Sequence, residues 1–145
     1  MSNIRQSVSL ERVSGKFIIL TLLAGLLFSL GIANRADAYN ASYVHFEFRW
    51  NSPYDNTYRQ QKWTKSAYHL NSTSNSVTYY TAVPWGHSYK AGRTGNVSVG
   101  PARKIYTGKY KLTNYLVESY GTGNNAWIAS TSYSNGHAYG SWSAD

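Results

Sequence analysis

Residues 43–50 read YVHFEFRW, and this stretch decides the fold class. Val44, Phe46, Phe48 and Trp50 alternate with Tyr43, His45, Glu47 and Arg49. A period of two is the signature of a strand with one apolar and one polar face. Asn51-Ser52-Pro53 ends the run, because proline has no N–H to give to a ladder. Downstream the same grammar repeats. Residues 57–69 are mixed and read as one ragged strand. NSTSNS at 71–76 reads as a polar turn, and VTYYTAV at 77–83 as a strand closed by Pro84-Trp85-Gly86. Residues 88–95 read as a basic, glycine-containing loop. Val97 and Val99 suggest a short strand ended by Gly100-Pro101. RKIYTGKYKL at 103–112 reads as a strand with a bulge at Gly108. Residues 115–120 read as a further strand, GTGNN at 121–125 as a hairpin turn, and AWIAST at 126–131 as the returning strand. Ser134-Asn135-Gly136 turns the chain into a last strand over 137–143. About seven or eight short strands at regular spacing, with no convincing helical period after residue 38, predict an all-β fold: a single antiparallel β-sandwich.

The first 38 residues obey different rules. Arg5, Arg12 and Lys16 precede the apolar run FIILTLLAGLLFSLGIA at 17–33, which leads to Ala36-Asp37-Ala38. A basic start, an apolar stretch and an A-x-A site describe a secretory signal peptide cut before Tyr39. The run is short against the roughly 20 apolar residues of a spanning helix. The expected organisation is therefore a cleaved N-terminal signal helix over 1–38 and a secreted β-sandwich domain over 39–145. The chain has no cysteine, so packing alone must hold an exported domain that disulfides would usually staple. All 14 tyrosines and all 5 tryptophans lie after residue 38.

Residues 39–145 carry ten Lys and Arg against four Asp and Glu, a net charge of +6. Outside a cell the matching polyanions are phospholipid headgroups and wall polymers; charge also serves solubility. Arg103, Lys104, Lys109 and Lys111, interleaved with Tyr106 and Tyr110, form the densest basic stretch. If extended, it places Arg103, Lys109 and Lys111 on one face and Lys104, Tyr106 and Tyr110 on the other. It reads either as an anion-binding strip or as an edge strand guarded by lysines. Trp85, between Pro84 and Gly86, reads as a loop tryptophan able to stack on a sugar or a lipid interface, or as a lid on the core.

Catalytic patterns are missing from the sequence. The four carboxylates of residues 39–145, none adjacent, are a thin supply for acid–base chemistry. There is no G-x-S-x-G elbow and no thiol nucleophile. His45 and Glu47 share a strand face and could share a metal; an ordinary solvent-facing pair is the preferred reading, because no further ligand spacing accompanies them. The cysteine-bearing second motif of zinc deaminases is absent. No nucleic-acid-binding motif accompanies the charge. The expectation is a binding protein with no cofactor and no enzyme activity; the remaining enzyme reading is a small hydrolase assembled from Glu47, Glu118 and a histidine. The binding protein engages an anionic cell-wall polymer or membrane surface; the alternative is a carbohydrate-binding accessory module using exposed Trp and Tyr.

From Phe46 onward the layout resembles a family of small secreted Gram-positive proteins of unknown function. The residues that carry the likeness are Phe46-Glu47-Phe48, Tyr58-Arg59-Gln60, the segment 114–119 with the Gly/Asn turn after it, and the tail Gly140-Ser141-Trp142-Ser143-Ala144-Asp145. Ser141-Trp142 and the basic, Gly/Tyr-rich composition are also similar to lactococcin-972-type bacteriocins. The resemblance implies an exported β-rich domain, with a bacteriocin-like effector role as one reading, and carries no catalytic residues.

Overall fold

A computed structural model describes residues 40–90, 92 and 94–145; the expected signal segment over 1–38, with Tyr39, Ala91 and Arg93, lies outside the described residues. Ten strands and one short helix run in the order β1 (Ser42–Phe48), β2 (Tyr54–Asn56), β3 (Gln60–Lys62), β4 (Tyr68–Asn75), β5 (Tyr80–Ser88), β6 (Gly95–Ser98), β7 (Arg103–Ile105), β8 (Gly108–Leu112), α1 (Leu116–Tyr120), β9 (Asn124–Thr131) and β10 (Gly136–Ser143). They build two antiparallel sheets. The four-stranded sheet has the order β1-β10-β4-β8. The six-stranded sheet has the order β2-β9-β5-β6, with β3 also on β9 and β7 also on β5. The all-β sandwich is therefore the fold.

The alternation that decided the fold class is the alternation that builds the core. Val44, Phe46 and Phe48 of β1 are buried, whereas Tyr43, His45 and Glu47 face solvent. Phe46 and Phe48 meet Tyr80 of the opposite sheet at ring-centroid distances of 5.4 and 5.6 Å. Tyr68 packs edge-on to Trp142 at 5.9 Å, and its hydroxyl crosses the layers to donate to the Trp85 carbonyl at 3.2 Å. Ile105, Leu112, Leu116, Ala126 and Ile128 complete the cluster. Residues Tyr39–Asp145 thus form a compact unit with a core of its own.

Several local expectations are corrected. NSTSNS does not turn at its start: Asn71–Asn75 continue β4, with Asn71 and Ser72 paired on both sides by β10 and β8 and the end of the strand held by β10 alone. A strand with ladders on both edges overrides the turn preference of its side chains. Pro84 does not end its strand either, since β5 runs on to Ser88. The Pro84 carbonyl accepts from Val99 N–H at 2.9 Å. A residue's N and C=O point to the same edge of a strand, so the missing donor faces away from β9, where β7 hands over to β6. The proline removes no β5–β9 bond. Residues 115–120 form a helix turn rather than a strand. Asn114 starts it: its Oδ1 accepts from Leu116 N–H and its Nδ2 donates to the Ser66 carbonyl at 2.9 Å, a side-chain turn that bends the chain out of extension. GTGNN consequently links α1 to β9, with Gly121 and Gly123 at positive φ of 90° and 78°.

The basic stretch 103–112 is likewise not one bulged strand. β7 pairs with β5 in the six-stranded sheet and β8 pairs with β4 in the four-stranded sheet. The chain changes layers at residues 106–107, and Gly108, at a φ of 148°, opens β8. That crossing positions the candidate site.

Candidate functional site

The layer change folds the basic stretch into a corner. In β8, Lys109 and Lys111 are exposed on the outer face, while Leu112 is buried and Tyr110 half-buried. Lys109 is registered with Asn71 and Lys111 with His69 on β4. These residues, with Tyr110 and Ser141, line a shallow groove of about 630 Å³ on the outer face of the four-stranded sheet. In β7, Ile105 is buried and Arg103, two residues earlier, leans across to β8. Its guanidinium lies 5.1 Å from the Tyr110 ring centroid and donates to the Lys111 carbonyl at 3.2 Å. Lys104 takes the opposite side, with its Nζ 4.6 Å from the centroid of Tyr79. Tyr79 in turn packs on Tyr106 at 5.9 Å, and the Tyr110 hydroxyl accepts the Tyr106 N–H at 2.9 Å.

The face assignment from the sequence is thereby corrected. Arg103 groups with Tyr110, Lys104 with Tyr79 and Tyr106, and Lys109 with Lys111; a strand that changes sheets cannot keep one alternation along its length. Tyr79, which the sequence reading left inside an ordinary strand, is part of the corner. Only its place across from β7 shows this. No acid neutralises the cluster: among the described residues the ion pairs are Arg49–Glu47 at 2.7 Å and Lys62–Asp145 at 3.0 Å. Of the four exposed cations, Arg103 and Lys104 are set on tyrosine rings. Such a site attracts anions.

Trp85 is not a loop residue. It lies in β5, directly opposite Trp127 of β9, with the rings stacked at 6.2 Å and 26°. The Arg59 guanidinium sits 4.5 Å from the Trp127 centroid. The result is a stack of Arg59, Trp127 and Trp85 on the outer face of the six-stranded sheet. Beside it a polar row joins His87, Asn96 and Asn125. The His87 ring is 2.9 Å from Asn96 Oδ1, and Asn125 donates to the Tyr89 hydroxyl at 2.9 Å.

His45 and Glu47 do share the outer face of β1. Cross-strand neighbours complete the group: Tyr139 stacks on His45 at 4.6 Å, and His137 is registered with Glu47. The Glu47 carboxylate is engaged by Arg49 through two donors, at 2.7 and 3.2 Å, and this pairing holds it below the ordinary carboxylate value. Among the described residues no three His, Asp or Glu side chains are placed to hold a metal ion.

Comparison with family models, with curated proteins and with solved structures finds no match for this chain. The functional reading therefore rests on the site itself.

Proposed function

We propose that the protein is a secreted cationic binding module that engages an anionic component of the cell envelope through the β7–β8 corner, in the manner of a bacteriocin-like effector. The observation that carries the reading is the corner's uncompensated charge: Arg103, Lys104, Lys109 and Lys111 flank the layer change between β7 and β8 without an acid partner among the described residues. The basic side chains that do form ion pairs, Arg49 and Lys62, are neutralised by Glu47 and Asp145. The tyrosines beneath Arg103 and Lys104 limit the side-chain entropy lost on binding, which favours affinity.

Co-sedimentation of residues 39–145 with isolated cell envelopes across a salt series tests this. Binding is expected at low salt and falls steeply as salt screens the contact. The double variant Lys109→Glu, Lys111→Glu weakens it at least about tenfold without loss of fold. Salt-insensitive binding, or a double variant that binds as wild type does, would sink the proposal.

The Arg59–Trp127–Trp85 stack with its amide row supports a second reading, a carbohydrate-binding accessory module. Sugars present C–H faces to aromatic rings and hydroxyls to amides. This reading predicts neutral-glycan binding that survives high salt and is lost in Trp85→Ala. Retention of glycan binding in that variant removes the site from consideration.

A further inference from the structure

Four turns meet at one end of the sandwich: residues 49–53 between β1 and β2, 76–79 between β4 and β5, 106–107 between β7 and β8, and 132–135 between β9 and β10. Their proximity is bonded. Trp50 N–H donates to Asn135 Oδ1 at 2.9 Å, and Ser76 N–H donates to the His137 carbonyl at 2.9 Å. These turns, with Tyr54 at the start of β2, carry five of the ten exposed large aromatic side chains among the described residues. Trp50 is 70% exposed, Tyr133 68%, Tyr54 66%, Tyr106 49% and Tyr79 39%. Five large aromatic side chains at one end leave most or much of their surface in water, where each forgoes the burial that drives folding. They are also grouped: Tyr54 and Tyr133 are edge to face, with hydroxyls 3.2 Å apart, and Tyr79 packs on Tyr106.

The cationic corner joins this end. Tyr54, Thr131, Thr81 and Lys104 are successive register partners across four strands. They share the outer face in a row about 14 Å long. Lys104 thus connects the Tyr79–Tyr106 pair to the row that ends in Tyr54 and Tyr133. A soluble polyanion would account for the cations and leave the five aromatics unexplained. An anionic bilayer accounts for both. Tryptophan and tyrosine are the side chains that settle at the boundary of headgroups and acyl chains, their rings apolar and their tips polar. Lysine and arginine beside them meet the negative surface potential. Because four of the aromatics sit on turns and Tyr54 opens β2 at the same end, they can enter that boundary together without opening the sheets.

We infer that this aromatic end is an interfacial docking rim for anionic phospholipid bilayers, entered by Trp50, Tyr54, Tyr133, Tyr79 and Tyr106 and held by Lys104 and its basic neighbours. The inference rests on the envelope-binding reading and narrows its target to lipid.

The test measures residues 39–145 against two probes: phosphatidylcholine vesicles with and without phosphatidylglycerol, and soluble polyphosphate. The expected result is partition into the phosphatidylglycerol vesicles, with tryptophan emission quenched by brominated acyl chains. The double variant Trp50→Ser, Tyr133→Ser should lose about tenfold in vesicle partition while binding polyphosphate as the wild type does. Circular dichroism checks that its fold is kept, and Tyr54→Ser with Tyr106→Ser serves as a second pair. Polyphosphate binding without vesicle partition, or partition unchanged in both pairs, overturns the lipid rim and leaves the cationic corner standing. Binding to neither probe overturns both.

Discussion

Lys62 is fully buried, a rare position for a lysine and one that needs a partner. The partner is Asp145. Lys62 Nζ donates to Asp145 Oδ1 at 3.0 Å, to Ser66 Oγ at 3.1 Å and to the Ala144 carbonyl, and it lies 5.2 Å from the Tyr68 ring centroid. Burial pushes the Lys62 ammonium below its ordinary value although Asp145 opposes the shift. For Asp145 burial acts upward, but the Thr64 hydroxyl, the Trp63 N–H, Lys62 and the Thr64 N–H together outweigh it and hold the carboxyl below its ordinary value. Asp145→Ala leaves the ammonium buried without its counter-charge and is expected to cost about 3 kcal/mol in urea unfolding. Adding Lys62→Met to that background should recover much of the loss, since no unpaired charge then remains inside. If the double variant is as unstable as the single one, the pair matters for packing and not for charge. The sequence showed a lysine and a terminal acid far apart in the chain; nothing in their spacing announced that they meet.

At the scale of elements, α1 shows how one short segment fixes the neighbouring strands. Leu116 is fully buried against β5, where Gly86 leaves the room: a Cβ at residue 86 would come within 2.5 Å of the leucine's Cδ1. Leu116→Ala is therefore expected to cost about 2–5 kcal/mol, read as a lower urea midpoint, and to loosen β5 where His87 and Trp85 face the solvent side. A cost under about 1 kcal/mol would show that the cavity collapses and that the helix does not brace the strand. The β7–β8 unit makes the complementary point. Its residues and their charge were plain in the sequence, yet the two halves belong to different sheets. The grouping of Arg103 with Tyr110 and of Lys104 with Tyr79 depends on the partners that β5 and β4 supply.

For the molecule as a whole, the core tyrosines set an alkaline limit. Burial pushes the Tyr80 hydroxyl up to about 12, and burial raises Tyr68 further. The folded state therefore holds these protons more tightly than the unfolded chain, whose tyrosines titrate near 10. Their contribution to stability is complete below about pH 10 and is lost as pH rises through the folded value. Ultraviolet titration should show a fraction of the tyrosine signal, from Tyr68 and Tyr80, appearing only with cooperative unfolding above that range. Titration of every tyrosine in one step, with the fold intact, would contradict the burial of Tyr68 and Tyr80.

What the sequence by itself determined is the class of the fold, the faces of strands that stay in one sheet, and the pool of candidate side chains. The alternation in residues 43–48 reappears as the buried and exposed faces of β1, because a strand's period of two is a local property of the backbone; Trp50, expected on the apolar face, lies past the strand end and is exposed. Turn and strand boundaries were legible where local chemistry acted alone, and misleading where neighbours intervened: at NSTSNS between two ladders, at Pro84 with its missing donor on the open edge, and at Asn114, whose side chain ends an extended run. Only the tertiary structure decided which strands share a sheet. With that it decided that four turns bring Trp50, Tyr54, Tyr79, Tyr106 and Tyr133 to one end, that Trp85 meets Trp127, and that Asp145 reaches Lys62. The physical reason is that pairing between strands distant in sequence depends on which faces fit across the core, and that fit is a property of the assembled sandwich and not of any segment.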